Sequence, residues 1–443
     1  MRNTATLLKF IIPSLIGIFM FLCPVRDEEG NITIPIAFVA NWIIETMGAS
    51  PPILVVLTLI IISAVLTVIF SWIVKPKSDF ISNLFSVTPI WVIFRLLGAV
   101  FVVLAYLNVG PEMIRSESTG AMILYDLLPT LFAVFLLAGL LLPLLLNYGL
   151  LEFVGSLFVK VMRPLFRLPG RSAVDNIASW VGDGTVGVLL SSKQYEQGFY
   201  SKREAVVSAT TFSVVSITFT VVIIDYVDLM QHFPAFYLTI VIAGIVAALI
   251  MPRIPPLSRV EDSYYVENHE TDESIPEGYN MFSWGYKKAL ERAEKAENVG
   301  GFLKDGVKTV FDMWFAVLPI VMAIGTLGTI VAEYTPLFTW IGAPFVPVLE
   351  LMGIEDAVRA SETLFIGFTD MFLPSILISD VSSEMTRFVI AALSISQLIY
   401  LSEVGGVILG SKIPVGLGKL FVIFLIRTII SLPIIVIAAH IIF

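Results

Sequence analysis

The sequence predicts an all-α polytopic membrane protein with about nine transmembrane helices and two re-entrant hairpins in an inverted repeat. Three observations lead there. Of 443 residues, 57% are hydrophobic and only 14% charged, against about 25% charged in a typical soluble domain. Mean hydropathy is +0.90, and apolar runs as long as the ~20 residues of a spanning helix recur along the chain. Two stretches far apart in the chain also repeat one order of parts.

The apolar runs are 7–24, 51–74, 86–108, 126–149, 204–225, 233–251, 310–332, 385–410 and 419–441. The first follows Arg2 and Lys9 but is not followed by a small-residue cleavage site, so it reads as an uncleaved helix. Segments 150–170 and 335–352 are shorter, amphipathic and punctuated by Pro164, Pro169, Pro344 and Pro347, which suits the interface. Lys75 and Lys77 mark the loop after the second run as cytoplasmic, whereas Asp27, Glu28 and Glu29 place the loop before it outside. The alternation makes the N-terminus, the 150–171 region and the polar stretch 252–308 cytoplasmic. Within that stretch 283–298 predicts a solvated helix, with Glu291 and Lys295 one turn apart.

The repeat compares a window from Gly155 with one from Gly342. Each reads as a long span, an amphipathic segment, a short polar-flanked hairpin and two more spans. The amphipathic segment is basic in the first copy (Lys160, Arg163, Arg167) and acidic in the second (Glu350, Glu355, Asp356). An odd number of spans separates the copies. Both features predict opposite orientations, with a substrate site at the repeat interface. Residues 172–192 lie between Arg171 and Lys193, both assigned to the cytoplasm, so they enter and return on one side. Such a segment exposes backbone groups at its tip, which is tolerated where it lines a wet cavity. The division that follows is 1–125 (N-terminal spans, a candidate scaffold), 126–251 (first repeat), 252–306 (cytoplasmic loop) and 307–443 (second repeat).

Candidate substrate-binding residues come from the hairpins and the spans after them: Asn176, Ser179, Asp183, Thr185, Thr211 and Ser213 in the first copy, and Glu362, Thr363, Asp370, Ser394 and Gln397 in the second. A carboxylate inside a bilayer costs about 2.5–3.5 kcal/mol to insert. Glu362, Glu403 and Asp183 are therefore the candidates for a coupling ion, H⁺ or Na⁺. Asp183 and Asp370 also read as caps of their own turns, and the Ser and Thr hydroxyls as bonds to their own helices. Arg95 and Arg427 lie inside spans, where they would snorkel or meet a carboxylate. A net charge of −9 argues against nucleic acid as a partner. One cysteine, Cys23, and three scattered histidines argue against a disulfide framework or a zinc site, and no cofactor is expected. GVILGSK, within 405–412, has Ser411 directly after Gly410 and sits at a membrane helix end, so it is not read as a nucleotide loop.

NIASWVGDGTVGVLLSSKQY, followed by KREAVVSATTFSVVSITF, resembles the YjiH-type membrane proteins with a nucleoside-recognition (Gate) domain. That domain is also met in concentrative nucleoside transporters, ferrous-iron transport proteins and spore-maturation membrane proteins. The resemblance covers about 126–443 and is strongest around 172–220. It implies a non-enzymatic membrane transporter of a small polar solute, in the cell membrane, as a homo-oligomer. It also implies that Glu362 and Thr363 stand where nucleoside transporters hold their ligand. The GTPase domain of the iron-transport relatives has no counterpart here. Two other readings are a non-transporting module serving a partner protein, and an intramembrane aspartyl protease built on Tyr125-Asp126 and Gly182-Asp183.

Overall fold

The structure is a computed structural model, and it describes every residue except 1–3, 24, 27–31, 49, 75, 182–183, 213–216, 267–272 and 297. It is almost wholly helical. Among the described residues, seven helices are long and apolar enough to cross a membrane. The first three elements of that kind are α1 (Thr4–Leu22), α3 (Ser50–Ile73) and α5 (Pro89–Leu107), with a shorter α2 (Pro35–Met47) and α4 (Asp79–Phe85) between them. A two-residue ribbon pairs Val25 with Thr33. The hydropathy reading passes over α2 and the ribbon, because 13 apolar residues fall short of a span.

The rest is one sequence of parts, given twice. A long helix, α6 (Glu112–Leu146), leads to amphipathic α7 (Leu150–Phe166), then to a pair α8 (Ser172–Val181) and α9 (Gly184–Glu196). Next come α10 (Lys202–Val207), which continues as a π-helical turn through Phe212, then α11 (Ile217–Tyr226) and the long α12 (Met230–Arg259). After the polar α13 (Met281–Lys295) the order returns. A long α14 (Gly300–Tyr334) precedes amphipathic α15 (Leu337–Leu351), the pair α16 (Ala357–Ile366) and α17 (Leu373–Ile378), α18 (Glu384–Gln397), α19 (Val404–Gly410) and the long α20 (Leu417–Ile442). The boundaries expected at 125/126 and 306/307 fall inside α6 and α14.

Local devices repeat as well. Ser201 caps α10 by accepting from the Glu204 N–H, and Ser383 caps α18 by accepting from the Thr386 N–H. Both long helices carry a π-helical turn just before a proline, Ile123–Leu127 before Pro129 and Met313–Val317 before Pro319. Proline removes one helical hydrogen bond and crowds the preceding turn, and the wider turn absorbs that strain.

The two long helices pack against each other in opposite directions. Gly120 sits against Thr326, Gly325 against Ile123, and the Gly139 backbone against Val310. The Phe132 ring stacks on Trp314 at 4.8 Å, and the Trp314 indole donates to the Phe132 carbonyl at 3.1 Å. Partner numbers fall as helix numbers rise, so equivalent elements of the two copies are inverted, as the charge pattern predicts. The N-terminal spans brace the second π turn, where Ser63 donates to the Phe315 carbonyl at 2.6 Å.

Two expectations change. The run 385–410 is not one span: α18 and α19 are separated by 398–403, with Leu398 in the left-handed region at φ 63°. In 204–225, α10 with its π turn and α11 flank residues 213–216, which lie outside the described residues. The polar helix is also not solvated all round. Gly285, Ala289, Leu290 and Ala293 are buried, and α13 packs on α7 and α1, its small residues admitting the close approach.

The Gly139 contact gives a test. A Cβ there would lie 2.6 Å from Val310 Cγ2 and 2.8 Å from the Val310 amide. Gly139→Val should lower stability in detergent by about 1–3 kcal/mol through overpacking. Gly300→Ala, exposed on α14, should be neutral or slightly stabilising when melted in parallel.

Candidate functional site

Both helix pairs are hairpins whose feet meet. At the base of the first, the Arg171 guanidinium lies 3.6 Å from the Phe199 ring centroid, and Arg171 pairs with Glu152 at 3.0 Å. At the base of the second, Arg359 pairs with Asp380 at 2.7 Å. The polar stretch covers the first base: Arg163 pairs with both Glu204 and Glu273, and the Lys202 N–H donates to the Ser263 carbonyl at 2.7 Å.

Inside the first hairpin, Asp175 is fully buried and collects three donors, Ser191 Oγ at 3.0 Å, Gln194 Nε2 at 2.7 Å and Tyr200 Oη at 2.7 Å. Ser191 also meets Ser208 at 2.8 Å, which ties α8, α9 and the π turn after α10 into one unit. The sequence reading missed Asp175. Its signal was a carboxylate next to Asn176 and one helical turn from Ser172 and Ser179, both also buried.

The second hairpin turn is stitched to the break between α18 and α19. The Leu401 and Ser402 amides donate to the Phe368 and Thr369 carbonyls at 2.8 and 2.9 Å. Asp370 accepts from the Phe372 and Leu373 amides through Oδ1, at 2.8 and 3.1 Å, and from the Ser402 hydroxyl through Oδ2, at 2.8 Å. Gln397 reaches the Leu364 carbonyl at 2.8 Å and Thr428 Oγ1 at 3.0 Å. A Cβ on Gly367 would lie 2.0 Å from Gln397 Oε1, so a side chain there would displace the Gln397 amide.

Arg427, on α20 and 1% exposed, joins the two copies. It donates through Nε to the Ser396 carbonyl, in the last turn of α18, and through Nη1 to the Thr211 carbonyl at 2.6 Å, in the π turn after α10. Carbonyls at such helix ends have no partner within the helix. Arg427 supplies one to each copy.

Around these breaks lies a cavity of about 440 Å³. Asp126 and Thr130 face it from α6, Gly184 from the start of α9, Phe219 and Val222 from α11, Asp370 and Phe372 from the second hairpin, and Leu398, Tyr400, Ser402 and Glu403 from the unwound stretch. Among the described residues its lining carries three carboxylates and no lysine or arginine. Phe372 is ringed by Phe219 at 6.1 Å and Tyr226 at 4.9 Å. An acidic, aromatic-walled pocket of this size suits a small solute with a flat or apolar body and hydrogen-bond donors or positive charge.

Of the sequence candidates, Asp370 and Glu403 line this cavity. Asp183 and Ser213 lie outside the described residues. Asn176, Ser179 and Thr185 are buried within the first hairpin, where a Cβ on Gly187 would meet Ser179 at 2.7 Å. The hydroxyls of Thr211, Thr363 and Ser394 bond to carbonyls of their own helices, those of Val207, Ala360 and Ala391, at 2.6, 2.7 and 2.9 Å. Gln397 braces the hairpin from behind. Glu362 is half-buried on the α16 flank that also carries exposed Val358. The aromatic walls escaped the sequence reading because phenylalanine is frequent throughout the chain.

The Gate family model, described as nucleoside recognition, matches residues 128–249. An uncharacterized protein of Alkalihalophilus pseudofirmus is 48% identical over 446 residues, covering 100% of this chain and 96% of its own. Among solved structures, CNTnw in an inward-facing substrate-bound state has a TM-score of 0.34 at 13% identity, covering 98% of this chain and 97% of that one. A doubly substituted CNTnw in an outward-facing state has a TM-score of 0.30 at 12% identity, covering 98% and 96%. Likeness at that level fixes no detail of the site.

Arg427→Met should leave two buried carbonyls without donors, at about 1–3 kcal/mol each. The expected result is a fall of about 2–4 kcal/mol in stability, read by thermal or denaturant unfolding in detergent, with Arg427→Lys intermediate.

Proposed function

The chain belongs to the family of the 48%-identical Alkalihalophilus pseudofirmus protein and carries a Gate domain, and from that premise we propose that it transports a small polar solute across the membrane. The observation that carries this reading is the cavity of about 440 Å³ at the junction of both inverted copies, bounded by both hairpins and by unwound backbone. The Gate match supports a nucleoside-like or related solute. Phe219, Phe372 and Tyr400 would hold its flat body, and Asp126 and Glu403 its donors. Asp370, whose oxygens are engaged by the hairpin, would keep the second turn in place.

H⁺ or Na⁺ coupling is the natural energy source. Glu403, at the start of α19 and facing the cavity, is the leading candidate for the coupling carboxylate. Glu362 and Asp183 remain the alternatives drawn from the sequence. Alternating access would come from movement of the hairpin-bearing halves about the α6–α14 pair, in a cell-membrane homo-oligomer whose N-terminus is cytoplasmic. In this scheme α1–α5 serve as scaffold, and the hairpins dip into the bilayer and return.

The experiment is ligand-dependent thermal stability of the purified chain, screened with nucleosides, bases, amino acids and dipeptides, with and without Na⁺ and across pH. A bound solute stabilises by mass action. A solute at 100 times its dissociation constant should add about 2.7 kcal/mol, and Glu403→Gln should abolish the part of that gain that depends on the coupling ion. Absence of uptake of any stabilising solute into proteoliposomes would reject transport and favour a module that needs a partner. Topology has its own test. In a Cys23→Ser background, cysteines at Arg171 and Lys193 should be labelled from the same side of the membrane; labelling from opposite sides would end the re-entrant reading.

A further inference from the structure

A second cavity, of about 410 Å³, lies at the far ends of the same two helices. The first cavity takes the opening residues of α9 and α19, Gly184 and Val404. The second takes their last turns and the chain beyond, where Gly410, Ser411 and Lys412 of the GVILGSK run continue to Gly416. That run has no place in nucleotide binding, yet it leads into the amino end of α20, a helix of 26 residues whose N-cap, Gly416, supplies no side-chain hydrogen bond.

Arg95 faces the same space from α5. It is 4% exposed. Nη1 donates to Thr67 Oγ1 at 2.7 Å and to the Leu84 carbonyl at 2.9 Å, while Nε is buried with no partner. The carboxylates that line this cavity, Asp312 and Glu196, are both engaged by Lys193, at 2.8 and 2.9 Å. Arg95 and Lys412 also lie within electrostatic reach of Asp312, so the described lining carries three cations against two carboxylates, and Lys412 donates to the Asn83 carbonyl at 3.1 Å. A buried guanidinium is favourable when its remaining donors meet an acceptor, preferably an anion. Gly416, the N-cap of α20, lines the cavity, so the positive end of that long helix adds a second attraction for negative charge.

We propose that this second cavity binds a phosphate group between Arg95, Lys412 and the amino end of α20. The group belongs either to free inorganic phosphate or to an anionic lipid headgroup; the shared chemistry is a tetrahedral oxyanion. Arg95 comes from the N-terminal spans and Lys412 from the second copy, so an occupied site joins the two parts.

The test is thermal unfolding of the full chain in neutral detergent. One arm titrates inorganic phosphate against chloride at constant ionic strength. The other titrates phosphatidylglycerol against phosphatidylcholine in mixed micelles. The expected result is a saturable rise in the unfolding temperature in one arm, which identifies the source. Lys412→Gln should weaken the apparent affinity about tenfold, the worth of one charge-assisted hydrogen bond. Arg95→Lys, which keeps the charge and loses Nε, should weaken it too. Lys160→Gln, exposed on α7 and away from this cavity, should respond as the unaltered chain does. No saturable rise in either arm, an unchanged response in Lys412→Gln, or an equal loss in Lys160→Gln overturns the proposal. None of these readouts depends on transport.

Discussion

Inside a bilayer there is no water to satisfy a backbone group released from a helix. This chain releases such groups at the 398–403 break and at the helix ends around it, and its architecture follows from how they are paired. Arg427 donates to a carbonyl from each side. The second hairpin turn gives two carbonyls to the unwound amides of Leu401 and Ser402. Asp370 takes the next two amides of its own turn. With these bonds made, the unwound stretch borders an open cavity while its Leu401 and Ser402 amides stay paired.

The two long helices provide the frame on which those breaks are positioned. Each carries a proline softened by a π turn, and they lie antiparallel with glycines at the contact. A π turn frees carbonyls of its own. Ser63 takes the one at Phe315 from the N-terminal spans, so that region contributes hydrogen bonds to the repeat as well as apolar cover. Gly98 repeats the lesson: a Cβ there would lie 2.3 Å from the Pro319 carbonyl oxygen, so α5 approaches α14 at backbone distance.

Much of this was legible in the sequence. Long apolar runs give spanning helices whatever their partners, since length and hydropathy are local properties. The break at 398–403 was not legible. Its residues, LIYLSE, include neither glycine nor proline, and Leu398 adopts a left-handed conformation that nothing local favours. The break is imposed from outside, by the hairpin turn that pairs with it. Likewise Asp370 and Glu403 could be singled out because buried charge is expensive, whereas Phe219 and Phe372 are ordinary residues until their neighbours are known. Arg427 and Arg95 invited a carboxylate partner. Arg427 donates to main-chain carbonyls, and Arg95 to the Thr67 hydroxyl and the Leu84 carbonyl with Asp312 in electrostatic reach, acceptors that only the tertiary fold brings together.

Arg427 also sets a schedule. A ribosome delivers residues in order, and both broken helices emerge well before α20 does. Until that helix inserts, the Thr211 and Ser396 carbonyls await their donor, and the half-made protein must shelter them with lipid headgroups, water or a chaperone. Assembly of the centre is therefore a late event, closed by one guanidinium after the walls around it are already in place.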